Sequence, residues 1–152
     1  MNILLVCTGN TCRSPMAEAI LKQIAEEDHT VQVLSGGLAA AEGMPASENA
    51  VLAMQEMGLD ISAHTAKNIH ASVVREADLI LTMTQAHKRA LIQLFGPEAE
   101  KKTYALLEYI GQPGDIADPF GRDLDVYRAC AAQLKAVLSK VYDKIRGERR
   151  DV

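Results

Sequence analysis

The chain has 152 residues, 48% of them hydrophobic and 24% charged, the size and make-up of one soluble domain with a buried core and not of a disordered or fibrous chain. A net charge of −4 and a pI near 5.5 exclude a global attraction to nucleic acid or an acidic membrane, so any affinity for an anion has to be local. No apolar run reaches the length of a membrane span, the N-terminus lacks the charged region of a leader, and three cysteines, an odd number, suit a reducing compartment, so a cytoplasmic protein is expected.

Taken in order, the chain alternates strand and helix. Ile3-Leu4-Leu5-Val6 is an apolar run of strand length, and the seven residues Cys7 to Arg13 that follow read as a tight loop. Pro15, at a first helical position, opens a helix to about Glu26 with Ala17, Ile20, Leu21 and Ile24 on one face and Glu18, Lys22 and Glu26 outside it. Val31 to Ser35 alternates as a second strand, with Gly36-Gly37 as its turn. Ser47 starts a helix through Met57 that turns Ala50, Val51, Met54 and Met57 inward and stops at Gly58.

A short helix is expected over 70–76, a strand over 79–83, and a helix from Gln85 to Phe95 that Gly96-Pro97 ends. Thr103 to Leu107 is the fourth strand. The stretch 111–121 is too rich in Gly and Pro for regular structure and reads as a functional loop. The last helix runs from Leu124 to about Arg146 with Tyr127, Cys130, Ala131, Leu134 and Ile145 inward, which makes Cys130 a core thiol. Residues 1–146 form the domain, and 147–152 are a charged, frayed tail. This order predicts a single-domain α/β fold, a doubly wound four-stranded parallel sheet with helices on both faces. Sites in such sheets lie beyond the C-terminal ends of the strands, where both the first loop and the late Gly- and Pro-rich loop belong.

The first loop carries the chemistry. Cys7 and Arg13 are separated by five residues between a strand and a helix, so a loop with inward amides places the thiol in a ring of N–H donors below a helix N-terminus. Such surroundings favour a thiolate nucleophile. Arg13 closes the ring with a planar fork that grips two phosphoryl oxygens. Thr8, Gly9, Asn10, Thr11 and Cys12 would line the bound group; Gly9 permits close approach and Asn10 tolerates a left-handed backbone. Ser14 can donate to the thiolate or cap the helix. Expelling a basic leaving group needs a proton, and Asp118, fixed by Pro119 in the late loop, is the candidate donor. No Gly-x4-Gly-Lys-Ser/Thr stretch is present, which argues against nucleotide cradling. His29, His70 and His87 show no ligand spacing, so neither a metal nor another cofactor is expected. An oxidised Cys7 could condense with Cys12 to a disulfide, which would make the site redox-sensitive.

The run Cys7-Thr8-Gly9-Asn10-Thr11-Cys12-Arg13-Ser14, with Asp118-Pro119-Phe120 late in the chain, resembles the low-molecular-weight protein tyrosine phosphatases over nearly the whole length. Thr11, where tyrosine phosphatases usually carry an aliphatic residue, makes it most similar to the bacterial protein-arginine phosphatases. The resemblance implies a hydrolase acting through a phosphocysteine on phosphorylated protein substrates. Phosphoarginine is the first reading and phosphotyrosine the alternative. It places at His64 a histidine that holds the loop asparagine in its strained shape, and at Phe120 an aromatic wall for the substrate. Phe120-Gly121 departs from the paired tyrosines common after this proline. Arsenate reductases share the loop but add shuttle cysteines, and the stretch 79–88 has none. A phosphate-binding module without chemistry would not need Cys7, Arg13 and Asp118 together. A monomer without nucleic-acid or membrane partners is expected.

Overall fold

The computed structural model describes residues 1–150. Its strands are β1 (Asn2–Cys7), β2 (Gln32–Gly37), β3 (Leu79–Thr82) and β4 (Thr103–Ala105), and its helices are α1 (Arg13–Ile24), α2 (Glu48–Glu56), α3 (Ala71–Glu76), α4 (Gln85–Phe95), α5 (Pro97–Glu100), α6 (Leu106–Tyr109) and α7 (Leu124–Arg150). The sheet is four-stranded and parallel in the order β2-β1-β3-β4, as the alternating pattern predicted.

Because successive strand side chains point to opposite faces, β1 feeds two cores. Ile3 and Leu5 join Leu79 and Leu81 of β3 under the apolar faces of α1, α2 and α7, while Leu4, Val6 and Ile80 pack on the other face against Val74, Leu91 and Ala99. Cys130 is buried in the first core, and that burial pushes its thiol up to about 11. Chain order reverses between β1 and β3, so the crevice beyond their C-terminal ends is the topological switch point of the sheet. Register puts Cys7 opposite Gly37 and Val6 opposite Thr82 at that end.

Several boundaries differ from the sequence reading, each for a local reason. Helix α1 begins at Arg13, so Pro15 is its third residue and not its first, and it ends at Ile24. Gly36 and Gly37 belong to β2 and are no turn. They are glycine because a Cβ at 37 would lie 2.6 Å from the Thr8 carbonyl oxygen and one at 36 would strike the Ile69 side chain. The fourth strand stops at Ala105, because the Glu108 carboxylate accepts the Ala105 amide at 3.1 Å and turns the chain into α6. Past Gly96 the chain re-forms a short helix, α5, on Pro97, a good first helical residue. Val51 and Met57 are half-buried at the edge of the core, where the sequence placed them inward. Helix α7 runs to Arg150, through the residues read as the start of a frayed tail; Asp151 and Val152 lie outside the described residues. Among the described residues no helix is long and apolar enough to cross a membrane.

Candidate active site

Cys7 ends β1, and the chain wraps from it to Arg13, where α1 begins. The carbonyls of this loop are engaged on its outer side. Cys7 O accepts from Leu38 N (3.0 Å), Thr8 O from Ala39 N (3.0 Å), Thr11 O from Ser47 N (2.9 Å) and Cys12 O from Met16 N (3.2 Å). Asn10 O accepts from His64 Nε2 at 2.8 Å. The two polar groups of a planar trans peptide point in opposite directions, so these carbonyls turn the amides of Thr8, Gly9, Thr11, Cys12 and Arg13 inward. The Asn10 amide closes on the sulfur itself, 3.3 Å from Cys7 Sγ.

Asn10 holds this shape. It is 0% exposed, and among the described residues it is the one non-glycine with positive φ, at 56°. Its Nδ2 donates to Ser14 Oγ (2.8 Å) and Ser35 Oγ (3.0 Å), and its Oδ1 accepts from Lys67 N (3.1 Å). Ser35 passes its hydrogen to the Glu18 carboxylate at 2.5 Å. Burial would raise the Glu18 pKa, but hydrogen bonds from Lys22 and Ser35 outweigh it and hold the carboxyl below its usual range. Ser14 Oγ already accepts from Asn10, so its own hydrogen is left for Cys7 Sγ, 2.8 Å away. Ser14 is therefore placed to donate to Cys7 once the sulfur is ionised; it is the second residue of α1 and does not cap it.

Arg13 is buried to 5% exposure and donates from Nη1 to Ile116 O at 2.8 Å. Its Nη2 lies 3.6 Å from Asp118 Oδ2, a loose pair whose acidic side chain is 55% exposed. The other carboxylate oxygen, Oδ1, accepts from Phe120 N at 3.0 Å, a local turn that fixes the Asp118 side chain. The late loop is docked on the sheet through Ile116 N to Met83 O (2.9 Å) and through Gln85 N to Asp115 Oδ1 (2.8 Å). The loop residues Cys7 through Arg13, Asp118 and Phe120 thereby line one cavity of about 210 Å³, with Phe120 68% exposed. The structure brings every site residue named from the sequence to this cavity or, for Ser14 and His64, to the back of its loop.

Others were missed. Cys12 Sγ lies 3.3 Å from both Ser47 Oγ and Tyr127 OH, and these two oxygens are 3.3 Å apart. Burial and the contact with Cys12 push the Tyr127 hydroxyl up to about 12. From the sequence Tyr127 was a core-facing helix residue and Ser47 a helix start; nothing local links either to Cys12. Ser35 had a signal, since the sequence reading ended the second strand at it, and sites collect beyond the C-terminal ends of strands. His87 reaches the loop through Thr8. Among the described residues no group of three or more His, Cys, Asp or Glu is arranged to hold a metal ion.

The chain has relatives over nearly its whole length. The chain is 40% identical over 148 residues to a protein-arginine-phosphatase of Geobacillus stearothermophilus, covering 97% of each chain. It is also 40% identical over 141 residues to a low molecular weight protein-tyrosine-phosphatase, PtpB, of Staphylococcus haemolyticus, covering 93% of this chain and 97% of that one. Its fold superposes with a TM-score of 0.94 and 38% identity on YwlE arginine phosphatase, solved as a Cys-to-Ser mutant with a phosphorylated active-site serine, covering 99% of both chains. A family match spans residues 2–151, and by it the chain belongs to the low molecular weight phosphotyrosine protein phosphatase family.

Proposed function

We propose that this protein removes phosphate from phosphoarginine in proteins through a phosphocysteine intermediate. The observation that carries the chemistry is the single cavity in which Cys7, the Arg13 guanidinium and the Asp118 carboxyl meet. Cys7 Sγ attacks phosphorus as the P–N bond breaks, and Asp118 gives its proton to the departing guanidine nitrogen. The inward amides and Arg13 take up the charge spread over the equatorial oxygens, and Ser14 stabilises the sulfur before attack and when it leaves again. A water activated by the now ionised Asp118 then attacks the phosphocysteine, releasing phosphate and the thiolate.

The residues around the leaving group bear on the substrate. Thr11 presents a β-branched hydroxyl to the cavity and Asp118 a carboxyl, whose oxygens can accept from guanidinium N–H groups while its acid proton faces the leaving nitrogen. The names of the arginine phosphatases to which the chain is similar support the same substrate. A phosphotyrosine reading has its own observation in the exposed Phe120 ring, a wall on which a phenyl group could stack. Rates on phosphoarginine, phosphotyrosine and phosphoserine peptides, measured side by side, test the choice. We expect the highest kcat/KM on phosphoarginine; a preference for phosphotyrosine would transfer the assignment to the second reading.

In this account the enzyme acts as a cytoplasmic monomer, and its site responds to oxidants. Peroxide converts the Cys7 thiolate to a sulfenic acid, and the Cys12 thiol displaces water from it to form a disulfide that external thiols reduce. Both thiols are free and line the same cavity.

A further inference from the structure

His87 is the third residue of α4, whose cap, Thr84, accepts the His87 amide at 3.0 Å through its hydroxyl. This start of the helix points the imidazole at the catalytic loop. The residue is 7% exposed, with Nε2 2.8 Å from Thr8 Oγ1, while Nδ1 is buried without a hydrogen-bond partner. Burial and then the Arg13 guanidinium lower its pKa below the ordinary histidine value, against the opposing carboxylates of Asp118 and Asp115. The N-terminus of α4 acts in the same direction as Arg13, and the neighbouring Lys88 is engaged by Glu108 at 2.9 Å. The ring is therefore neutral at neutral pH and carries one hydrogen for two nitrogens.

The orphaned atom says which nitrogen carries it. With the hydrogen on Nδ1, a buried N–H would lack an acceptor, and Nε2 would take the Thr8 hydroxyl hydrogen, leaving only lone pairs toward the cavity. With the hydrogen on Nε2, only a lone pair is orphaned, and a buried unpaired N–H is the rarer defect. Nε2–H then donates to Thr8 Oγ1, and the Thr8 hydrogen is free for the cavity that Thr8 lines. We propose that His87 is a positioning residue that holds the Thr8 hydroxyl as a hydrogen-bond donor to the phosphoryl oxygens of the substrate. This rests on the reading of the loop as a phosphoryl site.

The test uses the full chain with p-nitrophenyl phosphate as substrate. Loss of a hydrogen bond to a charged group predicts that His87→Leu and Thr8→Val each lower kcat/KM about tenfold. His87→Gln, whose amide nitrogen occupies the place of Nε2, is expected to recover to within about threefold of wild type. The His87→Leu/Thr8→Val double variant is expected to be no worse than Thr8→Val alone, because the two act as one unit. Nitrogen-15 spectra of the wild-type imidazole at neutral pH are expected to show Nε2 protonated and Nδ1 bare, a readout that survives any folding defect of the variants. Additive losses in the double variant, no recovery in His87→Gln, or a protonated Nδ1 would each overturn the proposal. Failure of the wild type to turn over p-nitrophenyl phosphate would overturn the phosphoryl-site reading and the proposal with it.

Discussion

Replacing Asn10 separates the two things that keep the catalytic loop in shape. Asn10→Ala removes three side-chain hydrogen bonds, to Ser14, Ser35 and Lys67 N, and puts a β-carbon residue at φ 56° without the amide that offsets the strain. Ser14 and Ser35 keep other partners in Cys7 and Glu18, so each of those losses is small. The Lys67 amide is left without its acceptor, and the three losses together are worth about 3 kcal/mol. The left-handed backbone adds about 1 kcal/mol for alanine. Glycine shares the lost bonds but not the strain, so Asn10→Gly is expected to be about 1 kcal/mol more stable than Asn10→Ala. Urea unfolding of the three proteins measures both quantities through their midpoints at a common slope. Equal midpoints for the two variants would show that backbone strain is not what Asn10 holds, and midpoints at the wild-type value would refute the argument entirely.

Three further outcomes are expected. Cys7→Ser abolishes turnover while inorganic phosphate still binds, because the inward amides and Arg13 remain; calorimetric titration checks the binding and a phosphatase assay the loss. Asp118→Asn keeps the turn through Phe120 N yet removes the proton, so cleavage of substrates with basic leaving groups slows by about 10²–10⁴-fold, read from kcat across a leaving-group series. Thr11→Ile exchanges a polar for an apolar contact at the mouth and shifts the phosphoarginine-to-phosphotyrosine ratio of kcat/KM toward phosphotyrosine by roughly 1–3 kcal/mol. An unchanged ratio would remove Thr11 from specificity.

The fold was legible because its signals are local. Apolar runs at 3–6 and 79–83 and the 3.6-residue stripe of the last helix each report burial directly, and their alternation leaves the parallel sheet as the natural arrangement. The cavity was legible for the same reason: Cys7 to Ser14 is one continuous stretch, and Asp118-Pro119 stands out in an irregular loop. What escaped depends on contacts between distant segments. Gly36 and Gly37 read as a turn, since only the packed structure shows Thr8 and Ile69 pressing on them. Glu18 fell on a polar face by periodicity, yet it anchors Ser35 and, through it, Asn10. Tyr127 stands 115 residues from the Cys12 sulfur it touches. His87 looked like an isolated histidine because the partner of its imidazole, Thr8, lies 79 residues away.

In the proposed reaction phosphate passes from an arginine nitrogen to Cys7. Wild-type enzyme quenched within milliseconds of mixing with a phosphoarginine-bearing protein, and then mapped by peptide mass spectrometry, tests it in one step. A phosphoryl group is expected on the peptide containing Cys7, appearing before free phosphate accumulates. Release of phosphate from arginine with Cys7 never phosphorylated would contradict that transfer.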